Sequence, residues 1–365
     1  MYKKLLQPIL FRIDPERAHH LTTGVGETLC ALPVLRRYLT RRYIGKWPEL
    51  EQTLLGIRFP LPVGVAAGFD KNAKYPHLLS YCGFGFAEFG SITAQPSTGN
   101  ATPRLFRLPD DQALINRMGL NNEGAEPICR RIETLKSHGY SFLRSFPAGL
   151  NIAKSHDPDI TGTDAIHDYM DSYTEARRVA DYITLNVSCP NTREGKTFED
   201  QEALSALMDA IMHIHKPTDP PVFVKLSPDN TLEEIEDLIQ TCEAYPVAGY
   251  VISNTSTNRS GLRTVTDRMG AGGLSGAPLF EKSLERVSHI RNQIPGHKIL
   301  IGVGGIDNPQ KAVKMLKAGA NLLQVYTGFV YQGPSLIPSI YHHLGEVLKN
   351  EGASSISSWL QMHHP

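Results

Sequence analysis

The feature that most constrains the fold of this 365-residue chain is an alternation of short apolar runs with longer segments of helical period, which begins at residue 61. The apolar runs are rich in β-branched or aromatic residues and predict eight strands: Leu61–Ala66, Phe84–Phe89, Ala148–Ile152, Tyr182–Ser188, Val222–Leu226, Ala248–Ser253, Lys298–Val303 and Leu322–Tyr326. Eight strand–helix repeats predict an α/β protein folded as a closed (β/α)8 TIM barrel. A doubly wound open sheet remains the alternative, because periodicity counts units without showing closure.

The first 46 residues have a different pattern. Apolar residues recur there at helical spacing in two stretches, Leu5, Leu6, Ile9, Leu10 and Ile13, and then Leu21, Val25, Leu29 and Leu32. Nine Lys and Arg residues against three acids give this segment a net charge of +6. We expect two amphipathic helices that lie on a membrane surface, with helices docked on the barrel beneath a solvated basic rim as the alternative.

Composition limits the remaining possibilities. We expect the chain to divide into an amphipathic helical module over 1–46, a barrel over 47–350 and a tail over 351–365. Lys plus Arg and Asp plus Glu both total 37, so no overall charge favours nucleic acid as a partner. The five cysteines are widely separated, which favours a reducing compartment over a disulfide framework or a metal site. Neither a signal peptide nor a membrane-spanning apolar run is evident, so we expect the mature chain to start at Met1.

Polar residues follow the predicted strands at their carboxyl ends, where barrels of this kind carry their reactive groups. They are residues 66–72, Gly90-Ser91, Asn151, residues 186–191, Lys225, residues 253–255, Gly304-Gly305 and Tyr326-Thr327. The long insertion over 93–122 follows the second strand and would cover the same end of the barrel. We therefore expect one site at this mouth.

Glycine-rich turns predict how that site binds a phosphate. Residues 302–307 follow the seventh strand and precede a helix, a position at which backbone amides hold phosphate in such barrels. Residues 272–276 and 326–328 would complete the cradle. Taken singly, each turn could be a simple connector between a strand and a helix.

Two lysines and four asparagines predict the rest of the ligand. Lys71 and Lys225, at the ends of the first and fifth strands, can stabilise an anionic ring or carboxylate. Four side-chain amides offer paired donors and acceptors that suit a planar imide-like ligand, and they belong to Asn116, Asn186, Asn191 and Asn254. The thiol of Cys189, with an ordinary pKa of about 8.5, can act as a base, although a buried structural cysteine is the alternative.

These motifs in this order resemble those of the dihydroorotate dehydrogenases over nearly the whole chain. The resemblance rests on Ala66 to Asn72, Asn116 to Gly119, the run Asn186-Val187-Ser188-Cys189-Pro190-Asn191-Thr192, Ser253 to Thr255, Gly272 to Gly276, Gly302 to Gly305 and Tyr326-Thr327. The N-terminal Asp14-Pro15-Glu16-x-Ala18-His19, with its two helices, is similar to the membrane-associated, quinone-using class 2 of that family.

The resemblance implies FMN-dependent oxidation of dihydroorotate to orotate in pyrimidine biosynthesis, with electrons passed to a respiratory quinone. Residues that would bind FMN are Ala66, Ala67, Gly68, Phe69, Asp70, Ser91, Asn151, Asn186, Lys225, Ser253, Gly276, Gly305, Tyr326 and Thr327. Residues that would meet the substrate are Lys71, Asn116, Arg117, Met118, Gly119, Leu120, Asn186, Asn191, Asn254 and Thr255. The resemblance assigns Cys189 as the base that takes the C5 proton of dihydroorotate. It also assigns a quinone tunnel lined by His19, Arg107 and Tyr326.

The resemblance further implies a bacterial-type peripheral protein on the cytoplasmic side of the inner membrane. The partners it implies are dihydroorotate, a membrane quinone and the membrane surface, and a monomer is favoured. The chain departs from class 2 at Cys189, where that class carries serine and the soluble class 1 carries cysteine. Strand alternation turns Ser188 to the opposite face, so Cys189 is kept as the base. A soluble class 1 enzyme using fumarate or NAD, and a non-redox phosphate-binding barrel, are the alternatives.

We predict that the variant Cys189→Ser changes the pH dependence of flavin reduction by dihydroorotate. A thiol loses its proton more readily than an alcohol, so the original chain should show the lower apparent pKa in stopped-flow reduction. An unchanged rate and pH profile in the serine variant would remove Cys189 from the role of base.

Overall fold

The computed structural model describes residues 2–30, 32–137, 146–188 and 198–364. In chain order its strands are β1 (Gln52–Leu54), β2 (Ile57–Phe59), β3 (Val63–Val65), β4 (Phe86–Ile92), β5 (Leu105–Leu108), β6 (Ala113–Asn116), β7 (Ala148–Ile152), β8 (Tyr182–Asn186), β9 (Val222–Leu226), β10 (Gly249–Ile252), β11 (Gly273–Gly276), β12 (Ile299–Val303) and β13 (Leu322–Val325). Its α-helices are α1 (Gln7–Leu10), α2 (Pro15–Cys30), α3 (Pro33–Leu39), α4 (Pro76–Tyr81), α5 (Ala125–Ser137), α6 (Gly162–Ala176), α7 (Gln201–Ile214), α8 (Leu232–Glu243), α9 (Phe280–Gln293), α10 (Pro309–Lys317), α11 (Thr327–Gln332), α12 (Leu336–Asn350) and α13 (Ile356–His363).

Eight of these strands form a closed parallel barrel in the order β3-β4-β7-β8-β9-β10-β12-β13. Closure comes from the pairing of the last strand with the first, in which Leu323 aligns with Val63 and Val325 with Val65. Each barrel strand overlaps one of the eight predicted apolar runs. The predicted (β/α)8 barrel is therefore confirmed, and the open doubly wound alternative is wrong.

The helices cover the barrel with apolar faces, as α8 illustrates. Thr231 precedes this helix, and its hydroxyl accepts a hydrogen bond from the Glu234 backbone amide at 3.1 Å. The Glu234 carboxylate in turn accepts from the Thr231 amide at 2.8 Å, which completes a capping box. Ile235, Leu238 and Ile239 then recur at helical spacing and are buried. Local capping and an apolar stripe together fix where this helix begins and which face it buries.

Aromatic side chains fill the barrel towards the amino ends of its strands. Phe59, the last residue of β2, packs edge-on against Phe86 with ring centroids 5.3 Å apart. Tyr182 lies beside both rings. Gly64 and Gly149 leave space for these rings, because a Cβ at either position would collide with Phe86 or Tyr182. This packing leaves the carboxyl ends of the strands as the place for a site.

A small antiparallel sheet lies outside the barrel, in the order β11-β6-β5. Its central strand belongs to the insertion over 93–122, and β11 pairs with it so that Gly273 aligns with Asn116. The sequence predicted that this insertion covers the mouth. It did not predict that residues 273–276, expected as part of a glycine cradle, form a strand of the cover.

The N-terminal segment contains three α-helices where the sequence predicted two, since α3 begins at Pro33, just after the second predicted apolar stripe. The side chains of that stripe point outward: Leu21, Val25, Leu29 and Leu32 are 53%, 49%, 42% and 53% exposed. Leu5 and Ile9 are both 61% exposed. Among the described residues, no helix has the length and apolar character needed to cross a membrane.

The C-terminal residues form a helix packed on the barrel helices. The Trp359 side chain on α13 is completely buried, and its indole nitrogen donates to the Glu351 carboxylate at 2.7 Å. Glu351 also accepts from Lys317 of α10 at 2.8 Å. The domain boundaries after residues 46 and 350 stay a prediction.

We predict that Trp359→Ala lowers the free energy of unfolding by about 3 to 5 kcal/mol, because it leaves a large cavity beneath α13. Equilibrium unfolding in urea measures this loss. Met362→Ala is the matched control, since Met362 lies on the same helix with 59% of its surface exposed and should change stability by less than about 0.5 kcal/mol. Equal effects of the two substitutions would contradict the packing of this helix.

Candidate active site

A large cavity opens at the carboxyl ends of the barrel strands, between the barrel and α2. Most of the residues that the sequence predicted for a site lie on its wall. They are His19, Ala66, Ala67, Gly68, Phe69, Asp70, Lys71, Ser91, Asn116, Met118, Leu120, Asn186, Lys225, Ser253, Asn254, Thr255, Gly276, Gly305, Tyr326 and Thr327. The barrel topology therefore brings together residues that are up to about 300 positions apart in the chain.

Four predicted residues lie outside this wall. Asn151 is completely buried behind Ser91. Arg117 donates to backbone carbonyls of Met269 and Pro103, and so fixes the loop that Gly119 belongs to. Arg107 donates to the Ile13 carbonyl at 2.7 Å and lies over the Phe11 ring, which attaches the N-terminal helices to the mouth. Cys189 and Asn191 are outside the described residues.

A chain of side-chain hydrogen bonds runs from the cavity wall into the barrel. The Asn254 amide nitrogen donates to Asn186 Oδ1 at 3.0 Å, and the Asn186 amide nitrogen donates to Ser91 Oγ at 3.1 Å. The Ser91 hydroxyl donates to Asn151 Oδ1. The Asn151 amide nitrogen then donates to Glu88 Oε1 at 2.8 Å. We call these five residues the amide relay.

Ser188 is also held by this part of the site. Its hydroxyl donates to the Lys225 carbonyl at 3.0 Å, and the Asn254 amide donates to its backbone oxygen at 3.0 Å. The side chain is 4% exposed. The hydroxyl hydrogen of Ser188 is thus directed at the backbone of β9.

The polar side of the cavity contains two titratable groups with shifted pKa values. Burial lowers the pKa of Lys71 to about 8, although the carboxylate of Glu16 opposes the shift. The Lys71 ammonium donates to the Gly68 carbonyl at 2.9 Å. Burial raises the pKa of Asp70 to about 6, against the backbone amides of Lys74 and Tyr75 that donate to its carboxylate. Lys71 can therefore change charge near neutral pH.

The wall of the cavity beneath α2 carries aromatic rings beside the Glu16 carboxylate, which is paired with Arg104. His19 packs edge-on against Phe69, with ring centroids 4.9 Å apart, and Phe69 packs against Tyr326 at 5.4 Å. Burial, with the nearby Lys71 charge, lowers the pKa of His19 to about 3, and burial raises the pKa of Tyr326 to about 12. Both side chains are neutral at physiological pH, so this side suits an apolar ligand.

Backbone and small side chains form the third part of the wall. Gly276, Gly304, Gly305, Thr327 and Gly328 meet there, and the Ser275 and Thr327 hydroxyls are hydrogen-bonded at 2.8 Å. A side chain at Gly305 would collide with Phe280, and its positive φ of 67° also favours glycine. The predicted turns over 302–307 and 326–328 thus lie side by side, as a phosphate cradle requires.

The sequence analysis missed Glu88, which lies behind the wall, and Gln324, which lies on it. Glu88 is completely buried on β4, and the Gln324 amide nitrogen donates to its Oε2 at 2.8 Å. The signal was present in both cases, because each is a polar residue in the middle of an apolar strand. Arg104 was also missed; its bidentate ion pair with Glu16 joins α2 to the mouth insertion.

Comparison with known proteins identifies the family that carries this arrangement. The family described as dihydroorotate dehydrogenase matches residues 49–348, which is most of the chain. The chain belongs to the dihydroorotate dehydrogenase family. The match covers every barrel strand from β3 to β13.

Individual members of the dihydroorotate dehydrogenase family are similar over nearly their whole length. A dihydroorotate dehydrogenase (quinone) of Corynebacterium diphtheriae is 40% identical, with 95% of this chain and 93% of that protein covered. One from Brucella ovis is 38% identical, with 98% and 94% covered. A crystal structure of the Eimeria tenella enzyme in complex with ferulenol superimposes with a TM-score of 0.86 at 30% identity, covering 98% of this chain and 99% of the other.

Proposed function

We propose that this protein is a quinone-dependent dihydroorotate dehydrogenase, which oxidises dihydroorotate to orotate in pyrimidine biosynthesis with FMN as its cofactor. The observation that carries the proposal is that one cavity wall holds both a set of hydrogen-bonded amides and a cluster of neutral aromatic rings beneath α2. A water-soluble dihydropyrimidine and an apolar quinone need such different surroundings. The named relatives, similar from end to end, support the same reading.

The residues present fit FMN at two places. Lys225, only 5% exposed and on the cavity wall, suits a buried group that carries negative charge, and the neighbouring amides suit the edge of a planar ring. Gly276, Gly305 and Thr327 suit the phosphate. When bound, FMN supplies a two-electron acceptor for the substrate. Protein residues must then hold the substrate against it, take up a proton and exclude water.

In this proposal the substrate is oriented by Asn116, Asn186, Asn254 and Thr255, and Lys71 faces the substrate carboxylate. Asn254 and Asn186 are already fixed by their mutual hydrogen bond, so they need little rearrangement when a ligand binds. Cys189 and Asn191 are assigned from the sequence, with Cys189 taking the proton from C5. The remaining substrate contacts are Met118, Gly119, Leu120 and the loop held by Arg117.

The quinone is proposed to enter between α2 and the barrel, beside His19 and Tyr326. Arg107 supports this entrance by attaching the helices through the Ile13 carbonyl. Exposed apolar side chains on α2, with Arg36 and Arg37 nearby on α3, suit the surface of an anionic membrane. We infer a peripheral protein on the cytoplasmic side of the inner membrane, with a monomer favoured.

The decisive experiment compares the two half-reactions in the full chain and in a chain lacking residues 1–46. The full chain should reduce a short-chain ubiquinone analogue with dihydroorotate, and should do so better than it reduces fumarate or NAD. The shortened chain should still bleach its flavin with dihydroorotate but lose quinone turnover, because the entrance beneath α2 is gone. A protein without a flavin spectrum would contradict the proposal, and full quinone turnover after truncation would contradict the entrance.

We further predict that orotate binding weakens as the pH rises through about 8, the pKa of Lys71. The protonated amine attracts the orotate carboxylate, and this attraction is lost above the pKa, so the Kd should rise by up to about tenfold per pH unit. Lys71→Arg stays charged and should remove the dependence. Lys317→Arg, on the far surface, serves as the control for calorimetric titrations between pH 6.5 and 9.5, and an equally steep rise in Lys71→Arg would contradict the role of Lys71.

A further inference from the structure

Glu88 is a carboxylate with no solvent exposure, at the centre of the barrel and outside the cavity wall. Three side chains donate to it: the amides of Asn151 and Gln324, each at 2.8 Å, and the Thr184 hydroxyl at 3.1 Å. The Lys225 ammonium lies 3.8 Å from Oε1. These partners are the donors and the countercharge that a buried carboxylate requires.

A carboxylate at the end of the relay has a directional consequence, because a carboxylate can only accept hydrogen bonds. Asn151 must therefore turn its NH2 group to Glu88 and its oxygen to Ser91. Ser91 then donates its one hydroxyl hydrogen to Asn151, so it can only accept a hydrogen bond from Asn186. Asn186 must in turn present its oxygen to Asn254. Every donor of the amide relay points towards Glu88.

The orientation of these amides decides what a ligand meets at the cavity wall. Asn186 and Asn254 both lie on that wall, whereas Asn151 and Glu88 do not. Rotating either amide by 180° would exchange a donor for an acceptor at the position of the ligand. Such an exchange replaces a hydrogen bond with an unpaired buried group, which is the costly outcome.

We propose that Glu88 is a positioning residue for substrate recognition, which fixes the relay from the barrel side, through Asn151 and Ser91, and so holds the donor and acceptor faces of Asn186. Asn254, at the other end, is held by the Ser188 carbonyl and the Thr255 amide. The inference rests on the proposed function, because it names orotate and dihydroorotate as the ligands that form hydrogen bonds with those faces. Glu88 does not touch the ligand. It acts through Asn151 and Ser91, two links away from the cavity amides.

The test is a double-variant cycle on the FMN-containing protein, with orotate binding measured by calorimetry. Glu88→Gln keeps the shape but can donate as well as accept, so Asn151 and Ser91 are no longer held in one orientation from the barrel side. Orotate binding should weaken roughly tenfold, or about 1.4 kcal/mol. Ser91→Ala cuts the relay, and in that background Glu88→Gln should change the Kd less than about twofold. Additive effects would overturn the proposal.

Glu243→Gln is the matched control, because its carboxylate also lies beside a buried lysine, 3.2 Å from Lys298 Nζ, and accepts from the Tyr250 hydroxyl at 2.7 Å. It should lower the melting temperature without changing orotate binding. FMN content and melting temperature are measured for every variant. A loss of orotate binding in Glu243→Gln equal to that in Glu88→Gln would assign the effect to general destabilisation and overturn the positioning role.

A neutron structure of the original protein tests the direction itself and needs no variant to fold. The deuterium of Ser91 Oγ should lie towards Asn151, and the Nδ2 amide group of Asn186 towards Ser91. The opposite arrangement, or a protonated Glu88, would overturn the proposal. If the original protein does not bind orotate, the proposed function fails as well; if it binds orotate and the variants are additive, only the role of Glu88 fails.

Discussion

The pairing of β13 with β3 is the interaction on which the rest of the structure depends. These strands are the last and first of the barrel, and their hydrogen bonds turn a row of eight strands into a cylinder. Closure places Tyr326 and Thr327 beside the segment from Ala66 to Lys71, so residues from opposite ends of the chain form one wall. Without closure, the phosphate cradle and the aromatic side of the cavity would lie apart.

The buried charges in and behind the cavity wall differ in how they are compensated. Lys225 and Glu88 lie close together inside the barrel, at 6% and 0% side-chain exposure, so two groups that would each be costly alone support each other. Burial lowers the pKa of Lys71, and the nearby Glu16 carboxylate offsets this only in part. Beneath α2, His19 is neutral over the physiological range. The cavity wall thus combines lysines at the ends of strands with neutral rings beneath α2, where the Glu16 carboxylate is paired with Arg104.

The sequence predicted the elements set by local pattern and missed those set by distant partners. All eight barrel strands were predicted, because each is an apolar run followed by polar or glycine residues. The pairing of β11 with β6 was missed, since it joins residues 157 positions apart, such as Asn116 and Gly273. Glu88 was missed because the role of an acid inside an apolar run depends on its partners. These partners, Asn151, Thr184 and Lys225, lie on three other strands.

The same strand pairing constrains how the chain can be made. β3 is complete when only the first 65 residues have been synthesised, yet one of its neighbours is β13, which ends at Val325. The hydroxyl of Tyr341, 278 residues beyond Val63, also reaches the Val63 carbonyl. On the ribosome, one edge of β3 must therefore wait for almost the entire polypeptide to emerge, and an unpaired apolar edge of this kind can associate with other nascent chains. Such a topology therefore favours protection of the growing chain by chaperones during translation.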